Sequence, residues 1–216
     1  VWAEGRKELE MLYYKIIKDN WEIDWDERYL PHQSNGAWTP GEWTPAKIQG
    51  VVGNDYFGYL VFHADLISWC GDGEGELYEV EAKGIKWFGN KRLASTVRLL
   101  RRIDGWKPET MKAFTCDLIR RRIWYALPDV GKLLVKAVER REGVVDARHV
   151  AASAMLNASQ LDALAISSAI AAADGDTTRA TIAALLVGDA TKVPETLREE
   201  GLKLIKFLEG EALYVG

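Results

Sequence analysis

Leu77-Tyr78-Glu79-Val80-Glu81-Ala82-Lys83-Gly84 alternates side chains by polarity, with Tyr78, Val80 and Ala82 on one face and Glu79 and Glu81 on the other. A period of two is the pattern of a strand with one buried face. Outward from it, residues 11–18, 49–52 and 56–63 are short, aromatic and β-branched, which predicts further strands. Residues 86–88 and 93–103 continue the sheet. In the last of these, Val97, Leu99, Arg101 and Ile103 are expected on one face, with Arg98, Leu100 and Arg102 on the other. A helical turn is expected over 64–70 and a glycine-acid turn over 71–76. Close spacing of the strands predicts a mainly antiparallel sheet.

Past Gly105 the period changes. Pro108-Glu109 suits the first turn of a helix, which carries Met111, Phe114, Leu118, Ile119 and Ile123 to about Leu127-Pro128. Asp129 is expected to cap a helix through Arg141 that Gly143 ends, and Asp146, Ser159, Asp176 and Pro194 to open those over 147–157, 160–173, 177–187 and 195–209. Fifteen of the 44 residues from 147 to 190 are alanine, so these helices can approach closely. The expected class is α+β: a β-rich, Trp-containing domain over 1–105 and an all-helical, Ala-rich subdomain over 106–216.

Between 19 and 47 the pattern breaks. Pro31, Pro40, Pro45, Gly41 and Asn35-Gly36 mark a long loop that holds Trp21, Trp25, Trp38 and Trp43. Indoles in such a loop are expected to cover a sheet edge, or to bind a partner through their rings.

At 216 residues the chain can bury a core without cross-links. No apolar run reaches the ~20 residues that span a bilayer. The polar opening predicts no signal peptide, and because the chain opens on Val1, Met11 is a candidate start. Cys70 and Cys116 are too few for a disulfide framework and read as reduced thiols of a cytoplasmic protein. Three scattered histidines, His32, His63 and His149, predict no metal site.

The net charge of −4 is partitioned. Residues 1–85 carry 7 basic and 16 acidic side chains, 86–141 carry 15 and 5, and 142–216 carry 6 and 11. Such a basic middle needs an acidic partner, either the acidic front of the same chain or a nucleic acid. Arg120-Arg121-Arg122 with Trp124 and Tyr125 is the densest candidate for nucleic acid, through charge and stacking. Arg98 and Arg102 are candidates too, although Glu79 and Glu81 on the adjacent strand are expected to pair with them. Trp38 and Trp43 are the candidate aromatic contacts. For chemistry, the paired carboxylates Glu79 and Glu81 and the imidazole of His63 are the available groups. His63 is also a turn-stabilising residue in Phe-His-Ala-Asp.

In order, Tyr14-Lys15-Ile16, Trp38-Thr39-Pro40-Gly41-Glu42-Trp43, Phe62-His63-Ala64, Leu66-Ile67-Ser68-Trp69, Tyr78 through Gly84, Lys91 with Arg98-Leu99-Leu100, and Phe114-Thr115-Cys116-Asp117 resemble a protein family carried by phages, prophages and bacteria, a domain of unknown function. The resemblance covers roughly residues 11–190; Asp65 and Asn90 depart from its usual Cys and Asp. It implies a mobile-element origin. A second resemblance, in Tyr56-Phe57 or Phe62-His63-Ala64 and in the Tyr78–Gly84 strand, is to rifampin-type ADP-ribosyltransferases. That one implies NAD as cofactor, Glu81 as the ribose-orienting carboxylate, and Tyr78 or His63 lining the pocket.

The leading expectation is a phage-type accessory protein of the host cytoplasm. It binds nucleic acid or a host or phage protein, without catalysis, cofactor, metal or membrane. The alternatives are the NAD-using transferase and a virion or assembly component.

Overall fold

The computed structural model describes residues 13–17, 25–47, 49–52, 55–62, 66–68, 73–88, 91–188 and 190–210. The chain is α+β and divides into two compact units, Val1–His63 with Gly75–Ile103, and Ala64–Glu74 with Asp104–Gly216.

The first unit is built on antiparallel strands: β1 (Tyr13–Ile17), β2 (His32–Ser34), β3 (Ala37–Thr39), β4 (Gly50–Val52), β5 (Asp55–Phe57), β6 (Tyr59–Val61), β7 (Glu76–Lys83), β8 (Lys86–Phe88), β9 (Lys91–Ala94) and β10 (Thr96–Arg102). From β7 to β10 the chain forms one long bent hairpin. Its register is continuous, from Phe88↔Lys91 through Lys86↔Leu93 and Lys83↔Thr96 to Val80↔Leu99. The bend falls at Gly84, whose φ of +61° is left-handed and where a Cβ would collide with Ser95 Oγ. The bend divides the expected strand over 93–103 into β9 and β10.

β1 pairs with β7, and β6 with β9. Tyr14 and Phe62 then exchange both backbone N–H···O bonds at 2.8 Å, joining β1 to the end of β6. The hydrogen-bonded ladder therefore returns on itself as a small barrel. Its interior holds Tyr59, Val61, Tyr78, Val80, Ala94, Val97 and Leu99, with Trp25, Leu30 and Ile85 packed against them. Lys15 lies inside as well, only 1% exposed. Its ammonium is 5.6 Å from the Trp25 ring centre and 5.9 Å from that of Tyr59, positions where aromatic faces stabilise a cation.

Two expectations are corrected here. The stretch read as loop contains the hairpin β2–β3, turned by Asn35 (φ 50°) and Gly36 (φ 79°), the left-handed pair that a two-residue turn demands. Trp21 lies outside the described residues. Beyond Trp38, residues 41–47 run along the outer edge of β10, where Gly41, Thr44 and Lys47 donate backbone bonds to Leu99, Val97 and Ser95. Thr44 Oγ1 also bonds both N and O of Val97, so this segment does cover a sheet edge.

The second correction concerns β10. Opposite β7 the register slips between Leu99 and Arg101, a bulge at Leu100. One extra residue reverses the alternation. Arg101 thus stands opposite Glu79, on the same face as Arg98, and Arg102 stands opposite Tyr78.

The second unit holds α1 (Pro108–Ile123), α2 (Asp129–Arg140), α3 (Val144–Met155), α4 (Gln160–Asp174), α5 (Thr177–Val187) and α6 (Val193–Leu208). Met111, Phe114, Leu118, Ile119 and Ile123 recur at helical spacing and are buried. Ser159 and Asp176 cap α4 and α5 as expected, accepting from the amides of Asp162 and Arg179. Elsewhere the caps differ. Asp129 is the first helical residue of α2, not its cap, and α2 closes on Arg141 in a left-handed conformation. Gly143 opens α3 three residues before Asp146. Alanines 165, 169, 172, 180 and 184 are buried on α4 and α5, and Ser168 Oγ donates to the carbonyl of Ala180 at 2.8 Å. Residues 66–68 and 73–74 also belong to this unit: Leu66 and Ile67 are fully buried, and Trp106 Nε1 donates to the Glu74 carbonyl at 3.1 Å. Among the described residues no helix is long and apolar enough to cross a membrane.

Candidate functional site

On the outer face of β7 and β10, carboxylates meet guanidiniums across the ladder. Arg101 Nε lies 2.7 Å from Glu79, which is 8% exposed, and Arg98 lies 3.9 Å from Glu81. Arg98 also donates to the Gly41 carbonyl at 3.0 Å. The sequence pointed to Arg98 and Arg102 as the partners of these acids; the bulge gives Glu79 to Arg101 instead. Arg102 pairs with Glu76 at 3.0 Å, and Glu76 accepts from Tyr78 Oη at 2.6 Å. Burial and then the bond to Glu76 push the Tyr78 phenol up, so it stays a protonated donor.

Tyr78 and Glu81 stand on opposite faces of β7, since residues three apart on a strand alternate. The structure does not bring these two together, and His63 lies outside the described residues. The pocket implied by the transferase resemblance is therefore not assembled by Tyr78 and Glu81.

Arg120, Arg121 and Arg122 end α1 in a network of the helical unit's own acids. Arg120 makes two bonds of 2.6 Å to Glu139 and stacks on Trp124, 4.2 Å from its ring centre. Arg121 bonds Asp117 at 2.7 Å and Glu200 at 3.0 Å. Arg122 reaches Glu200 at 2.6 Å and Glu199 at 3.7 Å, and Lys203 reaches Glu200 at 2.9 Å. Glu200 itself is fully buried. Burial alone would raise its carboxyl, but hydrogen bonds from Arg121, Arg122 and Lys203 outweigh that and hold it below the usual range. Among the described residues the basic run is thus compensated by Asp117, Glu139, Glu199 and Glu200 of its own unit. Its charge is spent on folding.

The helical unit also has a cleft of about 760 Å³ lined by residues of α1 to α4, among them Lys112, Cys116, Arg141 and Val144. Burial pushes the Cys116 thiol up to about 12, with Glu139 adding to it, so the sulfur is a protonated wall atom and no nucleophile. In the β-rich unit a shallow groove is lined by Arg28, His32, Glu42, Trp43 and Arg98. Trp43 carries the Lys83 ammonium 3.7 Å from its ring centre. Trp38, in β3, is half-buried.

One surface was missed by reading runs of arginine. From Ala82 to Val97 the sequence has Lys83, Lys86, Lys91 and Arg92 and no acidic residue. The described residues of this stretch form the bend of the long hairpin and its strands β8 and β9. Backbone bonds link Lys47 to Ser95 and Ser95 to Lys83, so the chain at Lys47 and Lys83 meets at the bend that Lys86 follows, with the Lys47 ammonium 4.2 Å from the Tyr59 ring centre. Among the described residues none of those three has a carboxylate within ion-pair distance. Trp87, opposite Arg92, is 59% exposed, more than any other described tryptophan. The signal in the sequence was the absence of acids around an aromatic, not the density of cations.

No group of side chains suited to a metal occurs among the described residues. No family model, curated protein or solved structure matches the chain.

Proposed function

We propose that the β-rich unit binds nucleic acid through the bend of the β7–β10 hairpin and strand β8, and that the chain acts by this binding. The observation that carries the reading is a contrast between two kinds of cation. Arg98, Arg101 and Arg102 in this unit, and Arg120, Arg121 and Arg122 in the other, are held by carboxylates. Lys47 and Lys83 lie over the rings of Tyr59 and Trp43, 4.2 and 3.7 Å from their centres, Lys86 precedes the exposed Trp87, and among the described residues none of the three has such a partner. Unneutralised cations next to an aromatic ring match a polymer that offers phosphates and bases together. The resemblance to phage- and prophage-borne proteins supports an accessory role of this kind in a host cell.

The double substitution Lys83→Glu/Lys86→Glu should lower affinity for nucleic acid by at least about tenfold, because two attractive phosphate contacts become repulsive. Lys206→Glu, an exposed reversal on α6, should leave affinity unchanged. Retention on heparin and anisotropy titrations over a salt series measure both. Equal loss in the two proteins would reject the surface, and no binding by the parent chain would reject the function.

A further inference from the structure

Trp87 is held in an unusual way for a surface tryptophan. It sits on β8, the outermost strand of the β6-β9-β8 sheet, and the guanidinium of Arg92 stacks on its ring at 4.2 Å. Arg92 is itself only 8% exposed, while the indole keeps 59% of its surface in water. One side of the ring is therefore clamped by a buried cation and the rest is presented outward. A ring fixed this way has little rotamer freedom left to lose when something stacks on it. Lys86 and Trp87, adjacent on a strand, project to opposite faces of β8, so an ammonium and a π-surface flank one open edge. Lys83 stands just before the bend.

We infer that the nucleic acid bound here is single-stranded, with a base stacked on the open face of Trp87 and neighbouring phosphates held by Lys86 and Lys83. This rests on the reading of the hairpin as a nucleic-acid surface. In a duplex the faces of the bases are covered by their neighbours, and sequence is read from groove edges by an inserted helix or ribbon. Among the described residues there is no helix here, and the β8–β9 ribbon is not free to enter a groove because β9 is paired on its other side with β6; its open edge carries an exposed indole. It offers a stacking platform beside positive charge, which suits an unpaired strand of any sequence. Charge complementarity favours this occupant over an acidic peptide, because a peptide carboxylate would use the lysines and leave the indole idle.

The test uses the full chain with a fluorescently labelled oligothymidylate and with a duplex of the same length, at one low salt concentration. The single strand should bind at least about tenfold more tightly. Trp87→Ala should remove about tenfold of that affinity and leave duplex binding unchanged, while Trp87→Phe, which keeps a ring, should retain most of it. Melting temperatures of both variants should match the parent, given the exposure of the side chain. Equal affinity for the two nucleic acids, or a preference that survives in Trp87→Ala, overturns the inference and leaves the hairpin as a phosphate-binding surface. Displacement of the oligonucleotide by an equal concentration of polyglutamate overturns it in favour of a protein partner. Binding of neither nucleic acid by the parent chain removes the inference and the reading beneath it together.

Discussion

At Glu200 one fully buried carboxylate faces three partly exposed cations, Arg121, Arg122 and Lys203. Removing the anion leaves Arg121, Arg122 and Lys203 facing one another, so Glu200→Gln should cost about 3–5 kcal/mol and lower the denaturation midpoint. The pH dependence has a definite sign. The folded carboxyl titrates below its unfolded value, so its contribution is complete above the ordinary glutamate range of about 4.3. It is lost as the pH falls through that range toward the lower folded value. Acid unfolding of Glu200→Gln should accordingly be shallower than that of the parent, as circular dichroism across an acid series will record. Three consecutive arginines were legible in the sequence. Their partner was not, because Glu200 is 79 positions from Arg121, and only the packing of α6 beside α1 makes them neighbours. A run of charge in a sequence shows density; whether that charge is available depends on what folds against it.

The long hairpin shows the same division between elements. Alternation in 77–83 was legible because Tyr78, Val80 and Ala82 face the barrel core while Glu79 and Glu81 face the arginines of β10, although Leu77 to Val80 are buried on both faces. The bend is encoded by Gly84, and its consequence can be measured. Gly84→Val forces a β-branched residue into a left-handed backbone and a Cβ against Ser95, so it should cost about 1–3 kcal/mol in chemical denaturation. The bulge at Leu100 had no legible signal: Val97 to Ile103 alternates as well without it as with it. What selects the slip is the pairing of Arg101 with Glu79 and the Ile103 amide bonded to Leu77, both set by the partner strand. The β2–β3 hairpin was legible in its Asn35-Gly36 turn but not in its flanks. His32-Gln33-Ser34 and Ala37-Trp38-Thr39 bury too little to alternate.

At the scale of the whole molecule, the described residues show arginines of β10 paired with acids of β7, and arginines of α1 with acids of α1, α2 and α6. The blocks of like charge along the chain were legible, but this local settlement was not. Among the described residues Lys47, Lys83 and Lys86 lack carboxylate partners, as do exposed cations of the helical unit such as Lys107, Arg140 and Lys206, and a salt titration tells the two sets apart. With Lys47, Lys83 and Lys86 contacting a single strand, the logarithm of affinity should fall against the logarithm of salt with a slope of about −2. A much steeper slope would enlist further cations, the α1 arginines among them.

The barrel is shut by the exchange between Tyr14 and Phe62, yet β1 takes most of its pairing from β7, where Tyr13 meets Val80. That partner lies far along the chain. On the ribosome β1 emerges early and waits, with Lys15 and its tyrosines uncovered, until the segment through Lys83 has followed. Such distant pairing slows folding and lengthens the exposure of a sticky strand. The nascent chain is thus vulnerable during the interval before β1 finds company.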